Sequence, residues 1–265
     1  MAPSRTPNIY PSLKDRTVVV TGGNTGIGAA ICRAAGAQGC NVVIDYLGDD
    51  SPNAGLVRDI EKAGGKAVAV EADVTKLDDL ARLVDAAVEN FGRLHVWVNN
   101  AGVETRSSLL EATEEHYDLE LAVNLKGAFF GAQAAAKQFL KQRSRGVIIN
   151  NSSVHEDWPM PGNAIYCCAK GGLRMLARNG AVELAPHGIR MVNVAPGAVR
   201  TPMNAETLDS PELAEALEEA IPLERVASPA EIADVVLFLA SDGASYMTAE
   251  TVTVDGGMMH DSPGL

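Results

Sequence analysis

The chain has 265 residues, 46% of them hydrophobic, with a formal net charge of −12 and a pI near 4.9. That length can bury a full core, and α/β sheets of this size often form one unit. The acidity argues against nucleic acid or an anionic membrane as a partner, and no apolar stretch is long enough to span a bilayer. Met1–Asp15 is polar and Pro-bearing, without an apolar signal core, so a cytoplasmic location is expected. Residues 1–12 read as a loose arm ahead of a single domain over 13–265. Cys32, Cys40, Cys167 and Cys168 form no C-x-x-C pair and no His-containing ligand spacing. They are read as buried small residues, and no metal is expected.

Strand-like and helix-like patterns then alternate. Thr17–Val20 is a short β-branched run, followed by Thr21-Gly22-Gly23-Asn24-Thr25-Gly26-Ile27-Gly28 and a helix from about Ile27 to Gln38. Glycines in such a turn allow close approach of backbone to a pyrophosphate, and the helix N-terminus supplies amides and partial positive charge. A second strand, Asn41–Ile44, ends at Asp45-Tyr46-Leu47. A 2′-phosphate wants Arg or Lys there or in the Gly-rich turn, where only Asn24 and Thr25 stand. Asp45 would instead accept from a ribose hydroxyl and repel phosphate, so NAD is preferred, with NADP possible. A helix through Val57–Ala63 leads to a third strand, Ala67–Val70, after which Asp73-Val74 could meet the adenine amino group.

Leu77–Asn90 carries apolar residues at helical spacing, and Leu94–Val98 reads as the fourth strand. Asn99-Asn100-Ala101-Gly102 follows as a small-residue wall for the cofactor. One long helix is expected over Tyr117–Gln142, then a fifth strand, Val147–Asn150. Tyr166 and Lys170 lead the next helix, to Leu184. Residues four apart share a helix face, so phenol and ammonium are neighbours, with the Ser153 hydroxyl delivered from the strand end. Together they make a proton-transfer site for an alcohol or a carbonyl. The sixth strand, Arg190–Val194, ends at Pro196-Gly197, which would border a nicotinamide, with Val199 and Thr201 reaching its amide. Residues 200–225 read as a substrate lid with a helix near Glu212–Ala220. A helix from Pro229 to Leu239 and a strand over Thr251–Val254 close the pattern. The expected fold is a single-domain, doubly wound, seven-stranded parallel sheet of Rossmann type with helices on both faces.

These motifs together resemble the short-chain dehydrogenase/reductase family. The carriers are the 21–28 turn, Asn-Asn-Ala-Gly at 99–102, Asn124, Ser153, Tyr166-x-x-x-Lys170 and Pro196-Gly197, covering about Leu13 to Met258. Within the family the chain is similar to bacterial glucose 1-dehydrogenases, through Glu104, Ser-Ser-Val-His-Glu at 152–156, the segment 201–206 and Asp-Gly-Gly-Met at 255–258. It departs from dual-cofactor members at Leu47, where they carry Arg. The resemblance implies Tyr166 as general acid/base, Ser153 holding the substrate oxygen and Lys170 binding the nicotinamide ribose. A free phenol titrates near pH 10, so Lys170 and the positive nicotinamide ring would have to lower it. Asn124 would hold a water linking Lys170 to solvent. Glu104, His155 and Asn204 would recognise substrate hydroxyls, pointing to D-glucose or another aldose oxidised at C1 to the lactone. A ketone, polyol or 3-oxoacyl reductase, or a non-catalytic NAD-binding regulator, stand as alternatives. A homotetramer is the family's usual arrangement, and the two long helices carry more apolar and small residues than one sheet face needs.

Overall fold

Seven short runs rich in Val, Ile and Ala pair into a parallel sheet, since β-branched side chains buried on both faces suit a sheet covered by helices. In the computed structural model, which describes residues 8–260, the strands are β1 (Thr17–Val20), β2 (Asn41–Tyr46), β3 (Lys66–Glu71), β4 (Val96–Asn99), β5 (Gly146–Asn151), β6 (Ile189–Pro196) and β7 (Thr251–Val254). Their order is β3-β2-β1-β4-β5-β6-β7, all parallel. Winding reverses between β1 and β4, so the carboxyl ends of those strands flank a crevice.

The helices are α1 (Gly26–Ala37), α2 (Asn53–Lys62), α3 (Leu77–Phe91), α4 (Glu114–Leu121), α5 (Ala128–Lys141), α6 (Ala164–Leu184), α7 (Ala205–Leu208), α8 (Pro211–Glu219) and α9 (Pro229–Ala240). Alternation along β1 sends its side chains to two cores. Val18 and Val20 join Ile31 and Cys32 of α1 and Ile232 and Val236 of α9. Val19 joins Leu83 of α3, Trp97, Phe139 of α5 and Ala177 of α6. The start of α9 is set by Pro229 and a capping box in which Ser228 and Glu231 satisfy each other's backbone amides. The Arg225 guanidinium, 2.7 Å from Glu231, helps hold that carboxyl down at about 2. The doubly wound single sheet is the one the sequence predicts, with strand ends moved by one or two residues. Among the described residues no helix is long and apolar enough to cross a membrane.

Three expectations change. The helix expected over Tyr117–Gln142 is α4 and α5 joined by a π-helical stretch, Ala122–Gly127. There Asn124 accepts from the Val103 amide at 2.9 Å and donates to the Val103 carbonyl at 2.8 Å. A π turn is a local widening of the helix, and here it accompanies a side chain engaged by the β4 loop. Of the arm expected at residues 1–12, residues 1–7 lie outside the described residues. The remainder is fastened to the body: the Tyr10 amide donates to Gln38 at 2.7 Å, and Ser12 Oγ accepts from the Asp242 amide at 3.1 Å. Cys32 and Cys40 are buried as expected, but Cys167 is half-buried and Cys168 exposed on α6.

Phe139 is fully buried, and a Cβ built at Gly146 would stand 2.3 Å from its ring. Phe139→Ala should therefore lower the unfolding free energy by about 3–5 kcal/mol in urea titrations. A loss under about 1 kcal/mol would show that the α5 face of the sheet is not closely packed.

Candidate active site

Loops at the carboxyl ends of β1, β4, β5 and β6 enclose a cavity of about 740 Å³. Gly22, Thr25, Gly26 and Ile27 line it from the β1 side, with Asn100, Ala101 and Gly102 opposite. Gly22 and Gly26 have φ of 57° and 50°, which side chains seldom tolerate. A Cβ at position 28 would lie 2.1 Å from the Gly22 carbonyl oxygen, so helix and turn meet too closely for any side chain. Asn100 Nδ2 donates to the carbonyls of Thr21 (2.9 Å) and Gly22 (3.0 Å), tying the turn to β4. Thr25 makes no side-chain cap on α1, so the first-turn amides have no acceptor from that residue. A dinucleotide pyrophosphate fits this cradle. Pro196, the last residue of β6, and Gly197, Val199 and Thr201 beyond it form the far wall.

Asp45 is 2% exposed rather than ending β2 in solvent. Its Oδ2 accepts from the Gly22 amide at 2.9 Å, and its Oδ1 has no partner. Burial pushes the carboxyl up to about 7 against the Gly22 hydrogen bond. An orphaned buried acceptor beside the glycine turn suits a ribose hydroxyl. Asn24, Gly28, Asp45, Tyr46, Asp73, Val74 and Asn124 do not line the cavity. Asn24 donates to the Asp49 carbonyl at 3.0 Å. Asp73, expected to meet an adenine, spends Oδ1 on Thr75 (2.7 and 3.0 Å) and pairs Oδ2 with Lys76 at 3.3 Å.

The cavity brings Ser153, Tyr166 and Lys170 together as predicted. Ser153 leads a short turn over Val154–Glu156 after β5. Its Oγ accepts from the His155 amide at 3.2 Å, and the hydroxyl favours the ionised form of the Tyr166 phenol. Lys170 is 5% exposed. Its Nζ donates to the Asn151 carbonyl at 3.0 Å and lies 5.3 Å from the Tyr166 ring centroid. Burial pulls Lys170 down to about 8, partly offset by the Glu156 carboxylate. Burial pushes the Tyr166 phenol up, the nearby Ser153 hydroxyl opposes this, and Glu104 and Glu120 add to the rise. The Asn124 side chain is engaged with the Val103 backbone through both its oxygen and its nitrogen.

Glu104, His155 and Asn204 also line the cavity, each already bonded to protein. Glu104 Oε1 accepts from Asn163 at 2.8 Å and Arg106 at 3.1 Å. His155 Nδ1 lies 3.1 Å from the Trp158 carbonyl, and Asn204 Nδ2 donates to the Val199 carbonyl at 2.8 Å. Glu104 Oε2, His155 Nε2 and Asn204 Oδ1 are left for other partners. The expected lid holds α7 and α8 and lends Met203, Asn204, Thr207 and Leu217 to the wall. Sequence reasoning missed Arg106, Met160, Met203, Thr207, Leu217 and Met258. A methionine in a loop reads the same whether it faces a core or a cavity.

Over residues 22–259 the chain matches the family profile described as enoyl-(acyl carrier protein) reductase. It is 46% identical over 250 residues to 3beta-hydroxysteroid dehydrogenase 1 of Eggerthella lenta, covering 94% of this chain and 96% of that protein. Glucose 1-dehydrogenase 2 of Bacillus subtilis is 38% identical over 251 residues, covering 94% and 97% respectively. A solved short-chain dehydrogenase/reductase from Serratia marcescens BCRC 10948 superposes with a TM-score of 0.86 at 34% identity, covering 93% of this chain and 99% of that one. Agreement this extensive, running through the glycine turn, the crevice and the Tyr166 helix, makes the chain a member of the short-chain dehydrogenase/reductase family.

Proposed function

We propose that the chain oxidises a ring hydroxyl with NAD and takes up the hydroxyl proton at Tyr166. The observation that carries this reading is the convergence of Ser153, Tyr166 and a dry Lys170 on a cavity that also holds the glycine turn. A bound nicotinamide supplies the hydride acceptor and a positive charge near the phenol. Ser153 Oγ holds the substrate oxygen as charge develops on it. Tyr166 oxygen receives the proton once the phenol is ionised. The Lys170 ammonium is fixed on the Asn151 carbonyl and is placed to bond ribose hydroxyls. NAD is favoured over NADP because a 2′-phosphate wants a cation at the end of β2 or in the glycine turn. Residues 21–28 and 45–47 carry no Lys or Arg to hold one.

Two substrate classes have specific support. An aldose such as D-glucose, oxidised at C1 to the lactone, suits the free polar atoms of Glu104, His155 and Asn204, and a glucose 1-dehydrogenase is among the relatives. An alcohol with an apolar ring body, such as a hydroxysteroid, suits the wall of Met160, Met203, Leu217 and Met258. The 46% identity to a hydroxysteroid dehydrogenase favours this second class. Prior engagement of the polar trio by protein weighs the same way, since a site selective for hydroxyls needs its groups unspent. Exposed Tyr117, Leu119, Phe129, Leu140, Met175 and Val182 on α4, α5 and α6 support the further reading that these helices pack copies into a homotetramer.

Purified protein should reduce NAD, followed by nicotinamide absorbance, with at least one aldose or cyclic secondary alcohol. Silence across both classes with either nucleotide would end the reading, and the faster class decides between substrates. Tyr166→Phe should lower kcat by about 10²–10⁴-fold while NADH binding, read by fluorescence, changes little. Retention of most activity would remove Tyr166 from its role.

Asp45 gives a prediction about pH. Its folded pKa of about 7 stands above the ordinary carboxyl value near 3.9. The folded chain therefore binds this proton more tightly, so the stability it contributes is complete below about pH 4 and is lost as pH rises through about 7. Asp45→Asn should match the wild type in urea at about pH 4, exceed it at about pH 8, and show a smaller preference for NAD. A variant less stable than wild type at the higher pH would show that the buried carboxyl is not held neutral by its surroundings.

A further inference from the structure

A row of polar side chains crosses the sheet behind the catalytic residues. Asn99, Asn150, Asn193 and Thr251 stand opposite one another on β4, β5, β6 and β7. Trp97 Nε1 donates to Asn99 Oδ1 at 2.6 Å, Asn99 Nδ2 to Asn150 Oδ1 at 2.8 Å, and Asn150 Nδ2 to Asn193 Oδ1 at 2.9 Å. Asn193 Nδ2 then donates to Glu156 Oε2 at 3.1 Å, and Thr251 Oγ1 to Glu156 Oε1 at 2.6 Å. The Glu156 side chain is 2% exposed, with Arg174 Nε 4.0 Å away. An ionised carboxylate only accepts hydrogen bonds, so it forces Asn193 to present its amide nitrogen, and every amide behind it must turn the same way. A chain of aligned amides polarises toward the charge at its end.

Glu156 closes the turn that Ser153 opens, its amide donating to the Ser153 carbonyl at 3.0 Å. Arg174 and Lys170 are four residues apart on α6, so both share the helix face that meets this turn. We propose that Glu156 is a positioning residue, a buried counter-charge that anchors the Ser153–His155 turn to β6 and β7 and sets it against Lys170. The proposal rests on the dehydrogenase reading and deepens it: Ser153 and Lys170 are held by a charge that touches neither substrate nor cofactor. The Glu156 carboxylate is also the group that offsets the burial of Lys170. The other ionisable groups around Lys170 and its tyrosine are Tyr166, Cys167 and Arg174 on α6, His155 and Asp157 beside Glu156, Glu104 after β4, and Glu120 on α4.

The test is the pH profile of kcat in Glu156→Gln and Glu156→Asp. Removing the negative charge favours the neutral amine, so the Lys170 pKa falls and activity is lost at lower pH on the alkaline side. In Glu156→Gln that limb should move down by about one pH unit, with kcat reduced about tenfold or more and KM for NAD little changed. Glu156→Asp keeps the charge and should restore the limb, which also serves if the Gln variant does not fold. An unmoved limb in Glu156→Gln, or a limb displaced equally in Glu156→Asp, overturns the proposal, whatever happens to stability. Should the wild type oxidise no alcohol, the reaction reading fails by itself. The Lys170 resonance in ¹⁵N-lysine-labelled protein, assigned with Lys170→Met, must then titrate lower in Glu156→Gln, and an unchanged titration overturns the role of Glu156.

Discussion

A buried ammonium is the constraint around which this site is built. Taking a lysine out of water is costly unless acceptors and negative charge surround it. Lys170 has the Asn151 carbonyl at 3.0 Å, the Tyr166 ring at 5.3 Å and the Glu156 carboxylate. Each comes from a different element: β5, α6 itself and the turn after Ser153. Satisfying one cation therefore fixes three parts of the active site relative to each other. The same burial raises Tyr166.

The sheet makes that arrangement possible. Its winding reverses between β1 and β4, which leaves the strand ends open and gathers the glycine turn, the Asn100 loop and the Ser153 turn around one crevice. Beneath the crevice, the asparagine row replaces apolar packing on one line across four strands. Buried amides cost free energy unless fully bonded, and these are bonded end to end. The π stretch over Ala122–Gly127 belongs to the same design, since Asn124 there holds the Val103 backbone at the mouth of β4.

Much of this was legible in the residues. β-branched runs and helical spacing marked the seven strands and most helices, and glycine spacing marked the nucleotide turn. The four-residue separation of Tyr166 and Lys170 placed them on one helix face. Boundaries slipped where pattern is silent: a continuous run of helix formers hid the π stretch, because Asn124 reveals its role only through a residue 21 positions away. The bonds of Asp73 to Thr75 and Lys76 depend on the turn conformation, which the residues alone do not reveal. The cavity methionines carried no signal, since their spacing on loops has no period.

What the residues alone determined is local: periodicity, turn chemistry and the motif that moves a proton. Those follow from short-range sterics and backbone hydrogen bonding, which neighbouring residues set. Long-range electrostatics and enclosure were decided by tertiary structure alone. The rise of Asp45 and of Tyr166 and the ordering of four strands' polar groups upon Glu156 arise from burial among elements distant in the chain. A charge's cost depends on everything around it, and only the folded chain brings that surrounding into being.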